Sequence, residues 1–199
     1  TVAAVQGDVP GPGNDVLYDH RQVTRNHVDE TVRLAGEVAA GEQPRPDLVV
    51  WPENSTAVDP FLDFSTNQGI ERAVEAIGVP VLVGAIVDDG PDHVLNQGIV
   101  WDPVTGAGER YTKWHPVPYG EYIPFRRYLD VNFGELARIR RDMRAGDRTE
   151  PLRVGDILLA DAICFDVAYD DGLHAQGREG AELLTVQTSD ATFIFTDQV

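Results

Sequence analysis

The sequence predicts an α/β fold, a sheet covered by helices on at least one face. Three observations carry this reading. Apolar runs such as "LVVW" (48–51), "VPVLVGAIV" (79–87) and "ILLADAI" (157–163) are continuous, the pattern of strands buried on both faces; half-exposed strands alternate instead. Strand-like and helix-like segments alternate through the first part of the chain before several strands follow, which is the order of a layered α/β arrangement. The segments between the first strands place apolar residues at helical spacing and stop at glycine.

Taken in order, "TVAAVQGD" (1–8) is a short apolar run closed by turn residues, a buried strand. The polar stretch "GPGNDVLYDH" (11–20) leads into a helix within 21–41, where Val23, His27, Val28, Val32, Leu34, Ala35 and Val38 recur at roughly helical spacing and Gly41 is the stop. "PDLVVWPEN" (46–54) is a strand that should end at Trp51-Pro52, because proline has no N–H for the ladder. Glu53 is thereby presented just past its end. "STNQGIERAVEAIG" (65–78) reads as a second helix with a Ser or Thr cap and a Gly stop.

"VPVLVGAIVDDG" (79–90) is a strand, and 93–114 reads as a hairpin turning at "DPVTGAG" (102–108). "RIRRDMR" (138–144) reads as the solvated face of a helix in so acidic a chain. "GDILLADAICFDVAY" (155–169) holds a strand running into Cys164, "DGLHAQGREGA" (171–181) is a short helix or turn, and "AELLTVQTS" (181–189) is another buried strand. No repeat, linker or low-complexity tract divides the 199 residues, so they read as one domain. "TFIFTDQV" (192–199) follows with no closing element, which suggests a domain truncated at its C-terminus.

Composition excludes several functions. A formal net charge of −17 opposes nucleic-acid phosphates and anionic lipid alike. One cysteine permits no intrachain disulfide and no cysteine-rich zinc site. The five histidines show no metal-binding spacing, and neither GxxxxGK[ST] nor GxGxxG occurs, so no metal or cofactor is expected. No run of 18 or more apolar residues occurs, so no segment is expected to span a bilayer, and "TVAAVQGDVP" lacks the basic and apolar regions of a signal peptide.

Against that background one residue is out of place. Lys113, in "YTKWHP", is the only lysine; every other basic side chain among the 16 Lys and Arg is arginine. Lysine is a compact point charge that can reach one atom in a tight site, where arginine presents a planar fork. Glu53, Lys113 and Cys164 each lie at or just past the C-terminal end of an apolar strand. In an open α/β sheet such ends share one edge, where ligands bind. A thiol needs a base or a cation beside it to become a nucleophile. A glutamate can take its proton and later return it to a leaving group. An ammonium can balance the charge that grows on a tetrahedral intermediate. These three make an acyl-transfer site that works through a thioester.

The motifs "WPEN" (51–54), "YTKWHPVPYGEYIPFR" (111–126) and "ICFDVAY" (163–169) resemble, in order, those of the nitrilase or carbon–nitrogen hydrolase superfamily. The stretch after the lysine, "VVWPENS" and the opening "VAAVQGDV" are most similar to its apolipoprotein N-acyltransferase branch. The resemblance covers essentially the whole chain. It implies an α-β-β-α sandwich, with Glu53 as general base, Lys113 as oxyanion-stabilising cation and Cys164 as the acylated nucleophile. Glu121, in "YGEYIP", matches a second glutamate that lies beside the catalytic groups. The family's Cys-Tyr-Glu is Cys164-Phe165-Asp166 here, so the hydroxyl is lost and the carboxylate arm is one methylene shorter. Asp166 is therefore only a weak supporting candidate.

The resemblance further implies a phospholipid acyl donor and a lipid-modified lipoprotein as acceptor. It also implies transmembrane helices flanking this chain that hold it on the extracytoplasmic side of the cell membrane. Apolar side chains in "AVDPFLDF" (57–64) and "YIPFRRYLDVNFGEL" (122–136) would then face lipid, among them Phe61, Leu62, Phe64, Phe125, Tyr128, Leu129 and Phe133. A soluble amidase using water as acceptor is the alternative, and would bury those loops. A silent binding domain is the third possibility.

Overall fold

The computed structural model describes residues 1–9, 20–129 and 134–189. In chain order they form β1 (Val2–Ala4), α1 (His20–Ala39), β2 (Leu48–Val50), α2 (Phe64–Ile77), β3 (Val81–Asp88), β4 (His93–Asp102) and β5 (Gly106–Thr112). There follow β6 (Asp142–Met143), β7 (Leu152–Val154), β8 (Ile157–Ile163), α3 (Asp171–Arg178) and β9 (Leu183–Gln187). The strands make two sheets. The first runs β1-β2-β3-β4-β5 with β6 beside β4, and the second runs β7-β8-β9. Strands β1, β2 and β3 are parallel, β3, β4 and β5 are antiparallel, and β8 pairs antiparallel with β7 and parallel with β9.

Strand alternation sorts the apolar runs into two cores. Successive side chains of a strand point to opposite faces. Val81, Val83, Ala85 and Val87 of β3 pack with Ile70, Ala73 and Val74 of α2 and Val28 of α1, while Leu82 joins Leu48, Val100 and Tyr111 against Leu152, Leu159 and Ile163 of the second sheet. On β8, α3 is held by the Gln176 amide, which accepts from the Asp161 N–H at 3.0 Å and donates to the Asp161 carbonyl at 2.9 Å. The layers are therefore helix, sheet, sheet, helix, the sandwich that the resemblance implies. Continuous apolar runs arise because the first sheet is covered on one side by α1 and α2 and on the other by the second sheet.

Three local readings are corrected. The cap of α2 is Asp63, whose carboxylate accepts from Thr66 N at 2.9 Å; Ser65 and Thr66 already lie in the helix. Gly78 closes it in the left-handed conformation, φ 68°. Residues 138–144 are not a helix face. A short 3-10 turn ends at Arg138, and the chain then extends into β6. Its charges are used there as partners: Asp142 binds Arg126, Arg141 binds Asp88 and Arg144 binds Asp89. The two short strands β6 and β7 were not anticipated. Phe133, most of the polar stretch 11–20 and the segment 192–199 lie outside the described residues.

Candidate active site

Lys113 and Cys164 directly follow β5 and β8, Glu53 lies just past Trp51-Pro52 at the end of β2, and the charges of Glu53 and Lys113 both bear on Cys164 at the seam between the sheets. The first sheet supplies the carboxylate and the ammonium, and the second supplies the thiol. The single sheet edge read from the sequence is replaced by the strand ends of two sheets packed face to face.

Lys113 has no exposed surface. Its Nζ donates to Glu121 Oε1 at 2.6 Å and to Glu53 Oε1 at 3.3 Å. Burial alone would lower its pKa, but the two carboxylates outweigh it and hold the ammonium charged. Glu121 is fixed in turn, because its Oε2 accepts from the Val117 N–H at 2.8 Å.

Glu53 is also buried. Its Oε1 accepts from Asn96 Nδ2 at 2.8 Å and its Oε2 from the Ser189 N–H at 3.1 Å. Burial pushes its pKa above the ordinary value, against the pull of Lys113 and of the Asn96 bond. A carboxylate held in this way accepts protons more readily than a free one. Burial and the Glu53 charge together push the Cys164 thiol up to about 11, so at rest it keeps its proton and depends on a base to lose it. Glu53→Gln should therefore slow labelling of Cys164 by iodoacetamide at pH 7 by about 10²-fold, read by mass spectrometry against time.

Cys164 adopts a left-handed backbone, φ 49°, a conformation costly for a residue with a Cβ. Asp166 holds the turn that imposes it. Its Oδ2 accepts from the Ile163 N–H at 3.0 Å and the Tyr111 hydroxyl at 2.9 Å, and its Oδ1 from the His115 N–H at 2.8 Å. Tyr111 and His115 both flank Lys113, so the shorter carboxylate ties the cysteine turn to the lysine strand. The His115 ring stacks on Tyr169 at 3.9 Å. A cavity of about 540 Å³ opens on the C-terminal side of Lys113, lined by Trp114, His115, Tyr122, Met143 and Tyr169.

Glu53 lies where it does partly because residue 84 is glycine. A Cβ there would stand 2.2 Å from the Pro52 oxygen and 2.9 Å from the Glu53 Cα. Both are backbone atoms that no rotamer change can clear. Gly84→Ala should displace the Glu53 loop, costing about 1–3 kcal/mol of stability and most of the thiol's reactivity, measured by thermal unfolding and iodoacetamide labelling.

Phe64, Phe125 and Tyr128 are between 70 % and 76 % exposed, and Leu62 and Leu129 are exposed as well. Phe61 is more covered, with its ring stacked on Trp101 at 5.7 Å and the Arg110 guanidinium 4.1 Å from its centroid. Asn96, Tyr111 and Ser189 were missed as site residues. Asn96 carried a signal, a polar side chain in the middle of the apolar run "VLNQGIVW".

The chain thus forms an α-β-β-α sandwich with Glu53, Lys113 and Cys164 at the ends of its strands. The carbon-nitrogen hydrolase family model matches residues 1–196, and the chain belongs to that family. It is 38 % identical over 198 residues to the apolipoprotein N-acyltransferase of Mycolicibacterium smegmatis, covering 97 % of this chain and 33 % of that protein. The apolipoprotein N-acyltransferase of Gloeobacter violaceus is 31 % identical over 195 residues, covering 96 % of this chain and 36 % of that protein. The chain thus spans about a third of the length of the curated relatives it matches. An amidase from Nesterenkonia sp. has the same fold, with TM-score 0.63 at 17 % identity over 94 % of this chain and 64 % of that one. Among the described residues no helix is long and apolar enough to cross a membrane.

Proposed function

We propose that this chain is the catalytic domain of an apolipoprotein N-acyltransferase, moving an acyl chain from phospholipid to the N-terminal amine of a lipid-modified cysteine. The observation that carries the reading is the 38 % identity to such an enzyme across 97 % of the chain, with Lys113 bonded to Glu53 and both charges bearing on Cys164. Residues 1–199 act as one carbon–nitrogen hydrolase domain of a longer protein. Helices outside this chain hold that protein in the cell membrane, with the domain on the extracytoplasmic side. Phe64, Phe125, Tyr128 and Leu129 then face the bilayer. Phe61 contributes one ring edge beside them.

In the first step Glu53 takes the Cys164 proton as Sγ attacks the ester carbonyl of the donor. Lys113 Nζ stabilises the oxyanion. Collapse breaks the ester C–O bond, and Glu53 returns the proton to the departing lysophospholipid alkoxide. In the second step the lipoprotein amine attacks the thioester. Glu53 takes the amine's proton, the C–S bond breaks, and the thiolate recovers that proton from Glu53. Glu121 keeps Lys113 aligned, and Asp166 keeps the Cys164 turn against the lysine strand.

The test is intact mass spectrometry of the full-length protein after incubation with phospholipid vesicles. An acyl mass added at Cys164, discharged by a diacylated lipopeptide, supports the reading. Rapid turnover of a short water-soluble amide with no acyl loading would favour the amidase alternative, which shares the fold.

The pH profile gives a finer check. Glu53 must be ionised to act, so activity falls as pH drops through its raised pKa. The Asn96 bond lowers that pKa; its loss in Asn96→Ala should move the acidic limb of the loading rate to higher pH. An unmoved limb would mean that another group sets it.

A further inference from the structure

One buried carboxyl has no task in that mechanism. Asp161 lies on β8 among the residues facing the first sheet, with no exposed surface. Its Oδ1 accepts from the Thr185 hydroxyl at 2.8 Å. Its Oδ2 has no hydrogen-bond partner, and neither has Gln187 Oε1 on β9. Both oxygens point into the same small space, above Gly98 of β4. A Cβ built on Gly98 would stand 2.0 Å from Asp161 Oδ2 and 2.6 Å from Gln187 Oε1. Glycine at this position lets the sheets approach closely enough for the two side chains to occupy it.

Two buried acceptors side by side, with no donor between them, are each unfavourable, and more so where one is charged. Turning the Gln187 amide over would not help, because its Nε2 already donates to the Trp51 carbonyl at 2.7 Å. A single proton on Asp161 removes both deficits.

We propose that Asp161 is a neutral, proton-bearing carboxyl whose Oδ2–H donates to Gln187 Oε1, and that through Gln187 it positions the catalytic base. The bond fixes the amide with Oε1 toward Asp161 and Nε2 toward Trp51, two residues before Glu53. Ser189, two residues beyond Gln187, donates to Glu53 Oε2. Gln187 is thus the joint that ties the end of β9 to the end of β2 on both sides of the base. Burial pushes the Asp161 carboxyl up to about 8, the Asp166 charge adds to this, and the Thr185 bond opposes it. The titratable groups that bear on it are Asp166 and, from β5, Tyr111. The residues that meet it from β4, β9 and α3 are Gly98, Thr185, Gln187 and Gln176, all uncharged. The positioning role rests on the reading of Glu53 as base.

The experiment compares wild type, Asp161→Asn and Asp161→Leu in the intact polypeptide. Asparagine keeps a donor toward Gln187 without a titratable group; leucine removes the donor at similar volume. At neutral pH an infrared carboxyl C=O band should be present in wild type and absent from Asp161→Asn. Iodoacetamide should label Cys164 in the asparagine variant within about threefold of wild type, and in the leucine variant at least tenfold more slowly.

Stability supplies a readout that does not depend on the leucine variant folding. The unfolded chain releases this proton near 3.8, while the folded chain holds it to about 8. The stabilisation linked to it is full below the lower value and is lost as pH rises through the upper one. The melting temperature of Asp161→Asn should therefore gain on wild type as pH rises from about 4 to about 8.

A missing band, or an asparagine variant less stable by the same amount at every pH, overturns the neutral carboxyl. A band present together with wild-type labelling in Asp161→Leu overturns the positioning role. Wild-type labelling in Glu53→Gln would instead overturn the base assignment, and it leaves the band and the melting curves to decide on Asp161.

Discussion

Lys113→Arg should lower acyl loading of Cys164 by about 10²–10³-fold, the effect of losing one oxyanion donor, although the charge is kept. The lysine is sealed on all sides, with one bond to each of two carboxylates. A guanidinium is wider, carries its charge over a plane, and presents two or more donors in a fixed fork. Satisfying Glu121 in that geometry moves the donor away from the Glu53 side, where the proposed oxyanion would form, and the extra volume costs about 1–3 kcal/mol in a packed site. Lys113→Met should be worse. It leaves the buried Glu53 carboxylate beside half-buried Glu121 with no cation between them, and like charges at short range repel. Single-turnover loading measured for both variants, with melting curves to separate misfolding from chemistry, decides the matter. Arginine activity above a tenth of wild type would make the lysine a structural ion-pair partner.

Cys164→Ala should lower transfer by about 10⁴–10⁶-fold, the range seen when a catalytic triad loses a member. The fold should survive. The sulfur is only half-buried, alanine keeps the Cβ, and the left-handed turn is held by Asp166 rather than by the thiol. The measurement is intact mass after incubation with phospholipid, which should show no adduct, together with transfer to a lipopeptide. Transfer at wild-type rate by this variant would rule out a thioester on Cys164.

The elements were largely legible because burial on both faces writes itself as uninterrupted apolar sequence, and glycine marks helix ends. The division into two sheets was not. "LVVW" of the first sheet and "ILLADAI" of the second carry the same signal, since each is covered on both sides, and nothing local says which strand pairs with which. Strand β7 is three residues long, too short for any period to show. Among candidate site residues, Lys113 and Cys164 stood out as the only lysine and the only cysteine, and Glu53 by its position at a strand end after Trp51-Pro52. Tyr111 did not, because in a strand it passes for an ordinary member of the run, and Asn96 showed only as a polar side chain within an apolar one. Asp166 was doubted for its missing methylene, yet the structure shows that its carboxylate accepts from three donors at the cysteine turn and the lysine strand.

The seam has a consequence in time as well as in space. Glu53 and its Ser189 partner are 136 residues apart, as are Trp51 and Gln187. Contacts this distant in sequence form late, after the entropy of closing a long loop has been met. A chain growing from its N-terminus can complete the first sheet, with Glu53 and Lys113 in place, while Cys164 is still unopposed. The thiol comes under the control of its base only when β9 docks. Before that moment it titrates as any cysteine does, and afterwards it is held back until substrate arrives. The order in which distant segments close therefore sets when the thiol acquires its base, as one of the last steps in completing the site.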